Sequence, residues 1–394
     1  MFKYLKIIAV VFYISLLISS SFGSFGEQQF SYLSRSFLVG KLDVNGYPYG
    51  FADASFYGGN YYWPLGPFPG ILITPLVFAA SYFNTLFLHR YIHWILVTCV
   101  FFLVYKIARR LKFNETDSIL CAFAFNLGSV FIGVSLIPWS WYYAQVVCTL
   151  LIFLAIYEYL NNKRYFILGL IFSCIFLTRI TATLGVIFVI LDILHNKEVI
   201  KSKIIKIVKL TTPIVASVIM LLAYNYLRFG NPFEQGYKYQ IISGGTDKAR
   251  NYGLLSFRHV PGNLYYFLIA SPDQVLKDGQ LKVLKFPFIT YNDWGMGIVF
   301  TSCYFLLLPL TGLKTKTNRN LLLTSLAISV PIFMYYGIGF RQYGYRYSLD
   351  FLPYLFLILL LHYSKTGLTI KFRMMVFLSI FLNIYLLFFK GAVI

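Results

Sequence analysis

Long apolar runs, separated by short polar connections, recur along almost the whole chain. A run of about 20 residues is the length that an α-helix needs to cross the hydrocarbon core of a bilayer. Lys3 and Lys6 precede an apolar run at residues 7–18, which approaches a full span when counted from residue 4 to residue 22. We expect it to be an uncleaved first helix and not a signal peptide. The other runs lie at residues 91–108, 117–136, 142–159, 164–179, 181–195, 208–227, 296–313, 320–338, 347–364 and 373–389. The pattern predicts an all-α polytopic membrane protein with about eleven transmembrane helices.

The basic residues between these runs predict the orientation of the chain. They cluster at residues 106–112, 163–164, 197–209, 314–319 and 365–373. With alternating spans, all these clusters fall on the same side as Lys3 and Lys6, and lysine and arginine are enriched in cytoplasmic loops. We therefore expect a cytoplasmic N-terminus and a location in the cell membrane.

The apolar stretch at residues 71–88 fits this map only if it does not cross the membrane. A crossing there would move every later basic cluster to the outer face. Pro67, Pro69 and Pro75 also interrupt its helical hydrogen bonds. We expect an outer loop at residues 23–90 with interfacial or re-entrant helices, beside an outer cavity.

The predicted topology contains one more long outer loop, at residues 228–295. Within it, an amphipathic stretch at residues 261–275 is suited to lying in the membrane interface. Residues 1–394 are thus predicted to form a single membrane domain without a separate soluble domain.

Composition supports the membrane assignment and excludes one class of partner. Of the 394 residues 58% are hydrophobic and 12% charged, and the mean hydropathy is +0.69, which is too apolar for a soluble core of this size. The net charge of +20 is spread over short clusters on one predicted side. We therefore expect no nucleic-acid partner, and membrane lipid instead.

The segment at residues 51–70 is polar, aromatic and rich in glycine and proline. An acid beside aromatic surfaces at a membrane face suits a carbohydrate on an anionic lipid carrier better than it suits an ion pore. The aromatic residues predicted to contact such a substrate are Tyr57, Tyr61, Tyr62 and Trp63. An aromatic belt at the membrane interface is the alternative.

Two acids are candidates for a general base. Asp53 lies in this constrained segment, which would hold it within reach of an acceptor hydroxyl; it could instead form an Asx-turn or cap a short helix at residues 54–57. Glu27 begins a segment whose apolar residues recur at helical spacing, which predicts an interfacial helix. Glu27 either favours the N-terminus of that helix or faces the same cavity as a second acid.

Three arginines at predicted outer turns are candidates for binding a phosphate. Arg179 lies between two spans with almost no aqueous flank, and Arg341 and Arg346 share another outer turn. Such an arginine should snorkel, pair with a carboxylate or hold a phosphate. Arg346 could simply pair with Asp350 four residues later.

Metal and cofactor sites are not predicted. His89 and His93 have a metal-compatible spacing, but no carboxylate or cysteine lies beside them in the sequence. The sequence also has no D-x-D, P-loop or G-x-S-x-G motif.

Five motifs in order resemble the polytopic glycosyltransferases of the C type, especially bacterial proteins similar to protein O-mannosyltransferases and lipid A aminoarabinose transferases. They are E-Q-Q-F-S-Y at 27–32, D-A-S-F-Y-G-G-N-Y-Y-W-P-L-G-P-F-P-G at 53–70, L-T-R-I-T at 177–181, Y-N-Y-L-R-F-G-N-P-F-E-Q-G-Y at 224–237 and G-Y-R-Y-S-L-D-F-L-P at 344–353. The resemblance covers most of the chain.

The resemblance implies transfer of a sugar from a polyprenyl-phosphate carrier to a glycan, lipid or protein acceptor at the outer face of a bacterial plasma membrane. It also implies a catalytic acid in the first outer loop. The chain departs from the family at two places: the acidic pair after the first span is Gly26-Glu27, and the frequent Lys-Pro is Trp63-Pro64. The identity of the base and of the phosphate partner therefore stays open, with Arg179 or Arg346 as substitutes.

A protein of another class fits part of the same pattern. A non-catalytic transporter of lipid-linked saccharides, or a partner in envelope glycan assembly, would also bind such a lipid. A transporter should carry a polar track through its spans. Here the acids and arginines collect at the predicted outer ends, which favours the transferase.

Overall fold

The computed structural model describes residues 2–23, 26–48, 50–242, 247–277, 282–313 and 315–390. The chain is mostly helical, at 67% of its residues. The helices are α1 (Phe2–Gly23), α2 (Gln29–Leu38), α3 (Phe68–Ser81), α4 (Arg90–Arg110), α5 (Glu115–Asn126), α6 (Phe131–Ser135), α7 (Ser140–Asn161), α8 (Tyr165–Phe176), α9 (Val186–His195), α10 (Ile200–Phe229), α11 (Asp247–Arg250), α12 (Val260–Leu268), α13 (Ile298–Thr301), α14 (Lys316–Met334), α15 (Leu352–Thr366) and α16 (Ile370–Lys390).

Two antiparallel hairpins interrupt the helical fold. Strands β1 (Ser55–Tyr57) and β2 (Asn60–Tyr62) form the first, and β3 (Asp273–Leu276) and β4 (Leu284–Thr290) form the second. Short 3-10 helices occupy Thr181–Gly185, Tyr237–Tyr239, Phe257–His259, Cys303–Thr311 and Arg346–Asp350. The predicted helical class is confirmed, with a small amount of sheet.

Within the described residues, five helices are long and apolar enough to cross a membrane. They are α1 from Lys6 onward, α4, α7, α10 and α16. Several other predicted spans are shorter or broken: α8 has 12 residues, and residues 296–313 divide into α13 and a 3-10 helix. At 1.5 Å per residue, a 12-residue helix is about 18 Å long, which is less than the hydrocarbon thickness. The count of about eleven spans and their orientation stay predictions.

The helix predicted after the first span is confirmed as α2, with Phe30 and Leu33 buried on its inner face. The apolar stretch at 71–88 contains α3, whose 14 residues are too few for a span. The stretch at 261–275 is helical only to Leu268 and then enters β3.

The described residues group into two compact units, residues 1–99 with 135–249 and residues 100–134 with 250–394. In the first unit, α2, α3 and the start of α7 enclose a core that contains Phe30, Trp63, Ile73 and Tyr143. A smaller cluster of Leu177, Leu221 and Tyr224 joins α10 to the segment after α8. The organisation as a single membrane domain stays a prediction.

Buried polar contacts organise the second unit. The Asn383 amide donates to the carbonyls of Leu127 and Thr301, at 2.7 and 3.0 Å, and accepts from the Tyr343 hydroxyl at 2.8 Å. These bonds satisfy polar groups that have no access to water and fix α16 against its neighbours.

Candidate functional site

The segment at residues 51–70 is built around the β1–β2 hairpin, which hydrophobic periodicity does not indicate. Gly58 and Gly59 occupy its two-residue turn with φ of 56° and 79°, a backbone conformation that glycine adopts without steric cost. Aromatic residues on both sides of a Gly-Gly pair are a known hairpin signal. The helix considered at residues 54–57 is therefore wrong: this segment is strand β1, and Asp53 caps no helix there.

Asp53 is held in place by residues 240–241. Its N–H donates to the Ile241 carbonyl at 2.9 Å, and its own carbonyl accepts from the Gln240 side chain at 3.2 Å. The Ile241 N–H donates to the Ala54 carbonyl at 2.9 Å, and an isolated antiparallel bridge pairs Gln240 with Ser55 of β1. Asp53 has φ of 63°, a left-handed conformation that aspartate tolerates better than most residues. Both the N–H and the carbonyl of Asp53 are thus hydrogen-bonded, while the residue stays partly exposed.

Three of the four predicted aromatic residues are partly exposed on this hairpin. Tyr57 and Tyr62 contact the Phe229 ring, with centroids 5.7 and 5.3 Å apart, and the Tyr61 ring stacks on Phe51 at 3.6 Å. Tyr57 and Tyr62 therefore lie on the face of the hairpin that packs on Phe229 at the end of α10. Tyr61 is paired with Phe56 and lies on the opposite face. Each face of the hairpin thus carries partly exposed aromatic rings, of the kind that stack against sugars.

Trp63 departs from the prediction of a substrate contact. Its side chain is 0% exposed and packs edge-on to Phe30, with centroids 6.1 Å apart, and against Trp141 at 5.0 Å. A ring enclosed in this way has no face to offer a sugar. Trp63 instead anchors the end of the hairpin in the core.

Glu27 belongs to a segment that is fastened to the start of α7. The Ser140 N–H donates to the Glu27 carbonyl at 3.0 Å, and the Gln28 side chain donates to the Pro138 carbonyl at 3.0 Å. The Gln29 N–H donates to the Ser140 hydroxyl at 2.9 Å. The two glutamines of E-Q-Q therefore have structural roles, and Glu27 stays partly exposed.

Gly26 lies in close contact with the Trp139 side chain. The Trp139 indole packs on this glycine so closely that a Cβ atom at residue 26 would lie 2.0 Å from the indole nitrogen. A carboxylate side chain has no room at this position.

A Gly26→Ala variant should be destabilised by about 1–3 kcal/mol, because the added methyl group forces the Trp139 ring out of its packed position. The thermal midpoint of the purified protein measures this loss. Gly46→Ala is the matched control, since a Cβ there meets nothing within 4 Å. Equal midpoints for the two variants would contradict the packing argument.

Arg228 is a site residue that the sequence reasoning missed. It lies in the last turn of α10, only 4% exposed, and its guanidinium donates to the Trp63 carbonyl at 2.9 Å and to the Asn225 side chain at 2.7 Å. The guanidinium carbon lies 3.9 Å from the centre of the Tyr224 ring. Among the described residues, no carboxylate lies within ion-pair distance of it, and its Nε–H is buried without a hydrogen-bond partner.

A buried cation without a carboxylate partner is costly in a membrane protein and points to a functional role. The signal for it in the sequence is an arginine at the predicted end of a span, inside one of the resembling motifs.

The structure places Arg179 near the same end of the first unit. The Phe68 N–H donates to the Leu177 carbonyl at 3.1 Å, which docks the segment after α8 against the residues that follow the hairpin. Leu177 also shares a buried cluster with Tyr224, one helical turn before Arg228. Arg179 follows Leu177 by two residues and Arg228 follows Tyr224 by one helical turn, so both lie close in sequence to members of this cluster. Arg228 also contacts the residue after the hairpin through the Trp63 carbonyl.

Arg341 and Arg346 belong to the second unit. Arg341 is exposed, with φ of 51°, whereas Arg346 is buried and its Nε–H donates to the Gln342 side chain at 3.0 Å. Their convergence with Arg179 on one phosphate stays a prediction.

His89 and His93 are both buried in the first unit. Each directs its Nε2 at a carbonyl, Pro138 for His89 and Ser135 for His93, both at 3.1 Å, so each Nε2 carries the proton. Burial, and next the neighbouring His93, hold the pKa of His89 well below its usual range. In the part of the chain that the structure describes, no group of three or more His, Cys, Asp or Glu side chains could hold a metal ion.

Comparison of the chain with protein-family models, with curated proteins and with solved structures finds no match.

Proposed function

We propose that the chain is a membrane glycosyltransferase that moves a sugar from a polyprenyl-phosphate carrier to a glycan, lipid or protein acceptor. In this proposal about eleven helices span a bacterial plasma membrane, the N-terminus is cytoplasmic, and the hairpin faces the outer side. Asp53 is the first choice for the general base and Glu27 the second.

The observation that carries the proposal is the fixed position of Asp53. Both backbone groups of this residue are bonded to the second outer loop, and the residue itself is partly exposed. A general base needs such a position, because it must stay within hydrogen-bond reach of the hydroxyl that it deprotonates. The tyrosine surface on one side of Asp53 and two arginines near the same end of the unit supply groups suited to a sugar and a phosphate.

The reaction proceeds in one inverting step. The Asp53 carboxylate takes the proton of the acceptor hydroxyl, and the acceptor oxygen forms a bond to the anomeric carbon of the sugar. The bond between that carbon and the phosphate oxygen breaks, and the polyprenyl phosphate leaves with the electron pair. Arg228 and Arg179 stabilise the negative charge of the departing phosphate.

The purified chain, reconstituted with a panel of polyprenyl-phosphate sugars, should release polyprenyl phosphate from at least one of them when an acceptor is present. Thin-layer or mass-spectrometric analysis of the lipid fraction measures this release. In the producing host, deletion of the chain should cause the same lipid-linked sugar to accumulate. Binding of the lipid with the sugar retained would instead favour the transporter or assembly partner.

A further inference from the structure

The end of α10 opposite to Arg228 carries a basic cavity. Three lysines, Lys201, Lys206 and Lys209, line it together with the hydroxyl residues Tyr165 and Ser202. We propose that this basic cavity binds the phosphate headgroup of an anionic phospholipid of the surrounding membrane.

The charges of the cavity are only partly balanced. Lys206 and the Ser202 hydroxyl both donate to Glu198, so one carboxylate is already engaged there. Lys201 and Lys209 are exposed and make no ion pair with any described residue. The three lysines less the Glu198 carboxylate leave two positive charges on the cavity. The nearby Asp192 carboxylate is already paired with Lys163. This positive charge suits a phosphate diester, which carries one negative charge.

The length of α10 places this cavity at the depth of lipid headgroups. Its 30 residues extend for about 45 Å, whereas the hydrocarbon core is about 30 Å thick. If the C-terminal 20 residues fill the core, the first ten residues, which carry the lysines, lie at the level of the phosphates. Val199 and Ile205 also line the cavity and are exposed, so they offer apolar contacts to the glycerol and the upper acyl chains.

Exposed apolar residues beside the lysines indicate that the occupant is a lipid and not a free anion. The lysines alternate with exposed apolar residues, namely Ile200, Ile204 and Val208. Free phosphate gains nothing from such a surface, whereas a phospholipid is retained by both its charge and its chains.

Native mass spectrometry of the full detergent-solubilised chain, titrated with phosphatidylglycerol, tests this site. A Lys201→Gln/Lys209→Gln variant should bind the lipid about 25-fold more weakly, at about fivefold for each lysine near a headgroup. The control is Lys277→Gln/Lys285→Gln, which removes the same charge from exposed positions around the second hairpin and should bind like the wild type. Lys206 is left unchanged because it pairs with Glu198.

Three results would overturn the proposal. Equal affinity of the cavity variant and the wild type for phosphatidylglycerol would show that the lipid does not bind in this cavity. An equal loss of affinity in both variants would show a general effect of net charge. Displacement of phosphatidylglycerol by inorganic phosphate at equal concentration would identify a free anion as the occupant. Phosphatidylcholine should bind the wild type and both variants alike.

Discussion

An Asp53→Asn variant is expected to transfer sugar about 1000-fold more slowly than the wild type, because general-base catalysis contributes about 10²–10⁴ to a rate. The amide cannot accept the proton of the acceptor hydroxyl. Asparagine, like aspartate, tolerates the left-handed conformation with φ of 63°, so the backbone bonds of residue 53 to Gln240 and Ile241 should persist. The loss should therefore appear in turnover at unchanged thermal stability.

Two further variants make this result specific. Asp43→Asn removes another acid of the same loop, one that accepts a bond from the Asn45 N–H at 3.2 Å, and should leave transfer unchanged. Glu27→Gln tests the second candidate for the base. Loss of transfer in Glu27→Gln together with normal rates in Asp53→Asn would give the role to Glu27. Normal rates in both would remove the general-base mechanism.

Replacement of Arg228 by methionine is expected to weaken binding of the polyprenyl-phosphate sugar by about 10- to 100-fold, the range of one charge-assisted hydrogen bond to an anion. The fold should tolerate the change. The variant loses the hydrogen bonds to the Trp63 carbonyl and to the Asn225 side chain, each worth about 1 kcal/mol. It also removes a buried charge that has no carboxylate at ion-pair distance among the described residues, which offsets the loss.

Lipid titration and thermal midpoints, measured on the same samples, separate the two effects. Arg35→Met is the control, because Arg35 is an exposed arginine on α2 in the same compact unit. Arg228→Lys keeps the charge but loses the planar guanidinium over Tyr224, so its affinity should be intermediate. Donor affinity like that of the wild type in Arg228→Met would limit Arg228 to fastening α10 to the hairpin.

Periodicity and residue type correctly predict helix α2 and the short helix α3 of the first unit. The spacing of Phe30 and Leu33 predicts α2, and that helix is present. The prolines around residues 67–75 indicate a segment that is not an ordinary span, and α3 is short. These features depend on neighbours within one or two helical turns, which a sequence displays directly. The Gly-Gly turn between aromatic residues is an equally local signal, and it indicates a hairpin where hydrophobic periodicity does not.

The sequence by itself determined a mostly helical chain rich in membrane-length apolar helices, and a polar aromatic loop with an acid. Only the tertiary structure decided which groups of that loop are available. In the folded chain, Asp53 is hydrogen-bonded to Gln240, 187 positions away. Trp63 is enclosed in the core, and Arg228 is buried beside the same hairpin. Trp63 and Tyr62 are adjacent aromatic residues of similar polarity, so no local pattern separates them. Their different exposure follows from packing between segments that are distant in sequence, and that packing is set by the fold as a whole.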